Sequence, residues 1–167
     1  GEVFEHILNP PRGLLEALRG TSLSVRFVGP VNDFQYYRSC RAAAWPGVEF
    51  REEMRGPRLA AVYAAARVHA LASWYETPGL ASLEAAACGV PIVAVRATSM
   101  PELVEEPGCG LLVPPGDVHA MADRIVQVLR DPAAQRALGQ AGVSMARAHS
   151  LDLTLERHEA LYQSLLE

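Results

Sequence analysis

Residues 68–95 read VHALASWYETPGLASLEAAACGVPIVAV, and this stretch decides the fold. Val68 to Ser73 is an apolar run of strand length. The segment Trp74-Tyr75-Glu76-Thr77-Pro78-Gly79 that follows has the Pro and Gly of a turn. Leu80 to Cys88 is Ala-rich and helical, and Gly89 stands at the usual helix-stop position. Pro91 to Val95 is again β-branched and apolar. A strand, a helix and a second strand without polar alternation describe two parallel neighbours buried on both faces by helices.

The same alternation extends in both directions. Upstream, a helix is expected over Leu14–Arg19, a strand over Ser24–Val28, a helix over Asp33–Ala44, a strand over Val48–Phe50 and a helix over Leu59–Arg67. Downstream come a short helix over Ser99–Glu105, a strand over Gly110–Val113 and a helix capped by Asp117 that runs to Arg130. Helical patterns continue over Ala133–Ala148 and Leu153–Leu166 with no strand between them. The fold class is therefore α/β: one doubly wound, Rossmann-like parallel sheet of about five strands with helices on both faces and extra C-terminal helices. In such sheets ligands bind beyond the carboxyl ends of the strands, which puts the loops after Val28, Phe50, Ser73, Val95 and Val113 on the functional side.

Composition removes several alternatives. The 167 residues, half of them hydrophobic, suit a single domain. All 15 basic residues are Arg, and there is no lysine. P-loop nucleotide binding, Schiff-base catalysis and kinase chemistry each require one, and receiver-type phosphoacceptor domains lose ground for the same reason. Phosphate binding must then come from Arg, backbone N–H groups or helix N-termini. A net charge of −4 argues against nucleic acid as a partner. No apolar run is long enough to span a membrane, and the opening GEVFEHILN lacks the pattern of a signal peptide. Cys40, Cys88 and Cys109 have no metal-ligand or disulfide spacing, nor do the five His form a metal set, so the expected location is cytoplasmic with no metal. A dinucleotide-dependent oxidoreductase would carry G-x-G-x-x-G after the first strand, and the motif is missing.

The chemistry concentrates in the loop and helix after Ser73. Free N–H groups at the helix start can meet a phosphate, and Gly79 lets the backbone approach a ligand. Glu76 precedes the helix, and Glu84 lies inside it among Ala, Leu and Cys. An isolated carboxylate on so apolar a helix needs solvent or a partner, and sugar hydroxyls would suit both acids. Glu76 and Glu84 form an E-x7-E pair, and Ser73 through Ala94 resembles the signature of GT-B glycosyltransferases of the group 1, GT4-like type. Further matches are Arg26-Phe27-Val28-Gly29, the helix Leu59 to Ala66 with Tyr63, Pro101-Glu102-Leu103-Val104, and Gly110 to Asp117 reading GLLVPPGD. The resemblance extends from about Leu14 onward.

The resemblance implies the C-terminal, nucleotide-sugar-binding half of a two-domain enzyme. It implies that Glu76 is the catalytic residue, holding hydroxyls of the donor sugar, and that Glu84 holds the ribose hydroxyls of the nucleotide. Thr77, Pro78, Gly79 and Leu80 would receive the diphosphate, Gly29 would lie at the donor side, and the loop at Arg51 and Glu52 would lie near the base. The reaction implied is metal-independent glycosyl transfer with retention at the anomeric carbon. The acceptor would occupy an N-terminal domain of roughly 100–200 residues that is not in this chain, so the chain is expected to be inactive alone, and that domain would be the route to any membrane association.

Four places depart from the family pattern. Where a lysine is expected the count falls on Asn9, with Arg12 three residues on as a substitute or as an ordinary surface cation. Where a Gly-Arg pair is expected, the chain offers Gly1-Glu2. Glu52 replaces a turn Gly, and Arg67 stands where Asp is frequent. A non-catalytic nucleotide-sugar-binding or assembly module with a degenerate donor site is the alternative. Trp74 and Tyr75 are read as packing rather than stacking residues, Ser73 as a strand-end hydrogen-bonding residue, and Cys88 as a small buried hydrophobe.

Overall fold

The computed structural model describes residues 12–73, 75, 77 and 79–166, together with the backbone of residues 2–6. Among the described residues are six strands and seven α-helices. In chain order they are β1 (Glu2–His6), α1 (Arg12–Leu18), β2 (Ser24–Val28), α2 (Phe34–Ala43), β3 (Val48–Arg51), α3 (Pro57–Ala65), β4 (Val68–Leu71), α4 (Leu80–Ala87) and β5 (Ile92–Val95). A π-helical turn at Pro101–Glu105 follows, then β6 (Gly110–Val113), α5 (Val118–Arg130), α6 (Pro132–Ala148) and α7 (Leu151–Ser164).

The strands form one parallel sheet in the order β3-β2-β1-β4-β5-β6. The chain therefore winds outward from β1 to one edge, returns to the centre at β4 and winds to the other edge. That reversal between β1 and β4 leaves a crevice at the carboxyl ends of the two strands. Sequence patterning gives about five strands and misses β1, the central one. EVFEH carries three charged or titratable residues in five, so it lacks the apolar run that marks β5 and β6. The loop that leaves β1 lies outside the described residues.

Although β4 and β5 are wholly buried, they still sort their side chains with period two. Val68 and Ala70 of β4, with Val93 and Val95 of β5, join Leu14, Leu15 and Leu18 of α1 and Met121, Ile125 and Val128 of α5 in the larger core. On the opposite face, Leu71, Ile92 and Ala94 meet Ala86 of α4, Val104 of the π-turn and Met145 of α6. A satellite cluster of Val28, Leu59, Tyr63, Ala85 and Val90 fills the space under α3.

Local chemistry sets the helix ends. Asp33, Asp117, Asp131 and Ser150 each accept a backbone N–H from the first turn of the helix that follows. α6 crosses α4 at Gly139 and Gly142: a Cβ on Gly139 would collide with the carbonyl of Gly89, and one on Gly142 would touch Ala86. At Gly139 the backbones are too close to leave room for a side chain. α7 has no buried residue, and its Leu151, Leu155 and Tyr162 are exposed. Among the described residues, no helix is long and apolar enough to cross a membrane.

Candidate functional site

β1 and β4 are paired neighbours, and the helices that follow them, α1 and α4, both begin at the carboxyl edge of the sheet. Arg12 is the first residue of α1, and Gly79 is the N-cap of α4. Two helix N-termini thus flank the crevice at the strand reversal, each presenting backbone N–H groups that the helix itself cannot satisfy.

Gly79 is required by its backbone and by its surroundings. It adopts φ 77° and ψ 46°, a left-handed conformation, and a Cβ there would lie 2.5 Å from the Met100 methyl and 3.3 Å from Leu103. Its carbonyl takes the N–H groups of Ser82 and Leu83, so the first turn of α4 is fixed. Leu80, the next residue, is 64% exposed, which brings the chain to the surface at this point. Thr77 is also exposed. Glu76, Pro78 and Trp74 lie outside the described residues, as does Asn9. Tyr75 is 75% exposed, which corrects its reading as a packing residue. Ser73 donates its hydroxyl to the Tyr75 carbonyl at 3.2 Å and serves the turn, as its place at the strand end suggested.

Glu84 sits in the second turn of α4 and is exposed. It opens on a groove of about 230 Å³ between α3 and α4, lined by Gly56, Leu59, Ala60, Tyr63, Glu84, Ala87 and Cys88. The Tyr63 hydroxyl donates to Glu84 Oε2 at 3.4 Å. Burial, and then the charge of Glu84, push the Tyr63 phenol well above its ordinary pKa, so it stays a donor. The same two causes raise the Cys88 thiol. Cys88 is half-buried and lines the groove, where the sequence suggested a buried hydrophobe: the turn into Gly89 at the end of α4 turns it outward.

Three cations of the carboxyl edge, Arg12, Arg51 and Arg96, are engaged within the protein. Arg12 donates its Nε–H to Glu16 Oε1 at 2.8 Å, one turn on, while its backbone N–H bonds the Tyr36 hydroxyl. Arg51 ends β3 and binds Glu49 Oε2 at 3.1 Å, an oxygen also bonded by Arg26. Glu49 is held below the usual carboxylate range, chiefly by Arg26 and then by Arg51. The Arg51 carbonyl accepts the N–H of Gly29 at 3.2 Å, which joins the ends of β2 and β3. Arg96, just after β5, forms a two-pronged ion pair with Glu105.

The remaining departures from the family pattern separate in space. Arg67 precedes β4, at the amino edge of the sheet, and donates to the Leu129 carbonyl at 3.0 Å and to Gln135 Oε1 at 3.2 Å. It closes the end of α5. Glu2 opens β1 at that same amino edge, so the alignment of Gly1-Glu2 with a ligand-gripping pair is corrected: that grip would have to follow β1, whereas Glu2 begins it. Glu52 is exposed in the turn before α3. In the sequence Tyr63 figures only in the helix match, although a hydroxyl on an apolar helix face is a detectable signal. Among the described residues, no group of three or more His, Cys, Asp or Glu is arranged to hold a metal ion.

Comparison with known proteins agrees with this geometry. A D-inositol 3-phosphate glycosyltransferase of Kribbella flavida is 36% identical over 118 residues, 71% of this chain and 28% of its own length. A sucrose-phosphate synthase of Thermosynechococcus elongatus superposes with a TM-score of 0.84 at 26% identity, over 99% of this chain and 45% of that one. Anabaena HepE, solved in complex with UDP-glucose, superposes with a TM-score of 0.82 at 22% identity, over 97% of this chain and 48% of that one. The chain thus spans less than a third of that curated relative and less than half of each of these solved proteins. The family described as Glycosyl transferases group 1 matches residues 12–131, more than half of the chain. The fold is one half of a GT-B architecture, and the chain belongs to the group 1 glycosyl transferases.

Proposed function

We propose that this chain is the nucleotide-diphosphate-sugar-binding half of a retaining glycosyltransferase, with the acceptor held by a second domain. The observation that carries the reading is the pairing of β1 with β4, which brings the N-termini of α1 and α4 to one crevice while Glu84 stands on α4. In this reading the N–H groups at Gly79 and Leu80, with Thr77 and Pro78 beside them, receive the diphosphate. Glu84 accepts hydrogen bonds from the ribose hydroxyls, and Glu76 accepts them from the donor sugar. The base lies toward Arg51 and Gly29. During transfer the bond from the anomeric carbon to the diphosphate oxygen breaks, and the acceptor oxygen bonds on the same face. The acceptor's proton leaves with the diphosphate. Negative charge grows on that leaving group, so the helix N-termini and Arg12 act where stabilisation matters most.

UDP-glucose is the ligand of the HepE structure, and a uridine diphosphate sugar is the first donor to test. Calorimetric titration of UDP-, GDP- and ADP-sugars into the chain should give saturable binding to one of them, undiminished by EDTA, because no metal takes part. Absence of binding to all three overturns the reading. The isolated chain, without an acceptor site, should transfer no sugar; turnover by it would overturn the division of labour proposed. The enzyme would work in the cytoplasm, and any hold on a membrane would come from the other domain.

One observation favours a second reading. Arg12, the cation nearest the crevice by topology, is already paired with Glu16. A non-catalytic module with a degenerate donor site would bind a nucleotide sugar in this state and never turn it over. Reconstituted with its acceptor domain, such a protein would bind donor normally and transfer nothing.

A further inference from the structure

Tyr63 stands out among the core residues because it carries a phenol hydroxyl into an otherwise apolar cluster. It is 1% exposed and belongs to the cluster of Val28, Leu59, Ala85 and Val90. Its ring meets that of His69, on β4, edge to face at 5.8 Å and 76°. His69 is itself fully buried, two residues before the end of the strand that leads into the Gly79 turn. Leu59, one helical turn earlier on α3, buries on the same side. The phenol therefore has little rotational freedom. A hydroxyl in such surroundings is costly unless it is paired, and this one reaches the carboxylate of Glu84.

Glu84, by contrast, has little to hold it. It is an exposed side chain on a helix whose neighbouring residues are Leu83, Ala85 and Ala86, none of which can accept or donate through its side chain. A free glutamate samples several rotamers, and fixing one of them on binding opposes affinity.

We infer that Tyr63 is a positioning residue for the donor site: its buried hydroxyl selects the Glu84 rotamer that receives the nucleotide's ribose. The bond at 3.4 Å is longer than the usual O–H···O distance, so it biases the carboxylate weakly and uses only one of its acceptor positions. The second oxygen, Oε1, and the remaining lone pairs of Oε2 are left for ribose hydroxyls. The arrangement is a rigid element of α3 holding a flexible element of α4, with His69 as the wall behind it. This inference rests on the ribose role proposed for Glu84.

The test separates the two. UDP, GDP and ADP, each with its 2′,3′-dideoxy counterpart, are titrated into the wild-type chain, Glu84→Ala and Tyr63→Phe, and the tightest nucleotide is taken forward. Wild type should prefer the ribonucleotide to the dideoxy form. Glu84→Ala should abolish that preference. Tyr63→Phe, which keeps the ring and its packing, should lower ribonucleotide affinity about fivefold and leave dideoxy affinity unchanged. A purely structural role for Tyr63 would move both affinities together, and that result overturns the inference. If Glu84→Ala loses the ribose preference while Tyr63→Phe retains it in full, the positioning role fails and the ribose role stands. If Glu84→Ala retains the preference, the ribose role fails and the inference falls with it.

Discussion

Arg67 Nη2 donates to the Leu129 carbonyl at 3.0 Å, across 62 residues of sequence. The contact ties the start of β4 to the last turn of α5, where carbonyls lack helical partners. Gln135 joins it: its side-chain amide donates to the carbonyls of Val128 and Leu129 while its oxygen accepts from Arg67. A residue that departs from the family's acidic pattern is thus a helix-capping cation.

Arg67→Ala should destabilise the fold by about 1–2 kcal/mol, through loss of a charged hydrogen bond at a helix C-terminus. Urea unfolding would measure it. Nucleotide affinity should not change, because the proposed site lies at the other edge of the sheet.

Gly139→Ala should be more damaging. The added methyl meets the Gly89 carbonyl, which is backbone and cannot swing away. Overpacking of this kind is worth roughly 1–3 kcal/mol, and α6 must move off α4 to relieve it. Gly142→Ala, whose methyl meets Ala86 at 3.4 Å, should show a smaller drop in thermal midpoint. Equal effects of the two changes would mean that the crossing is not tight where the geometry places it.

At Arg12 the prediction concerns competition. Glu16→Gln removes the carboxylate that holds the guanidinium, so diphosphate affinity should rise about threefold at low salt, and the gain should fade at high salt. Arg12→Ala should lower affinity for the diphosphate and leave that for the uncharged nucleoside unchanged. Calorimetry at two salt concentrations decides both.

Glu49 gives a pH signature. Its folded pKa is depressed, chiefly by Arg26 and then by Arg51. Such a group stabilises the fold above its unfolded pKa, and the contribution is lost as pH falls through the lowered folded value. The stability gap between wild type and Glu49→Gln should therefore be widest near neutrality and close under acid. The pair is solvent-exposed and screened, so the gap should be small, under about 1 kcal/mol, and it should shrink with salt.

How well each element could be read from the sequence follows from where its signal lies. β5 and β6 are short apolar runs bounded by Gly or Pro, β2 alternates Val25 and Phe27 with polar residues before Gly29-Pro30, and the Asp117 cap marks the start of α5 to the residue. β1 is hidden because Glu2, Glu5 and His6 leave only Val3-Phe4 as an apolar pair, whereas a central parallel strand ordinarily shows a longer apolar run. In the site, Gly79 was legible because a helix start after Pro-Gly has a backbone logic. Glu84 was legible as a carboxylate out of place. Its tie to Tyr63 was not, since it joins two helices 21 residues apart and depends on how closely they pack. The pairing of Arg12 with Glu16 is legible in the sequence, since the two stand at helical i, i+4 spacing.

The central place of β1 determines where this domain can be cut. β1 is the shared partner of β2 and β4, which do not pair with each other. A fragment trimmed to residues 12–131, the bounds of the family match, would keep every motif and lose the strand on which both halves of the sheet depend. It would also lose α6, whose glycines seal α4. Two open sheet edges would then face each other across an empty lane, each a template for another molecule's strand. Such a fragment should aggregate rather than fold, so the smallest self-sufficient unit is wider than its recognisable signature.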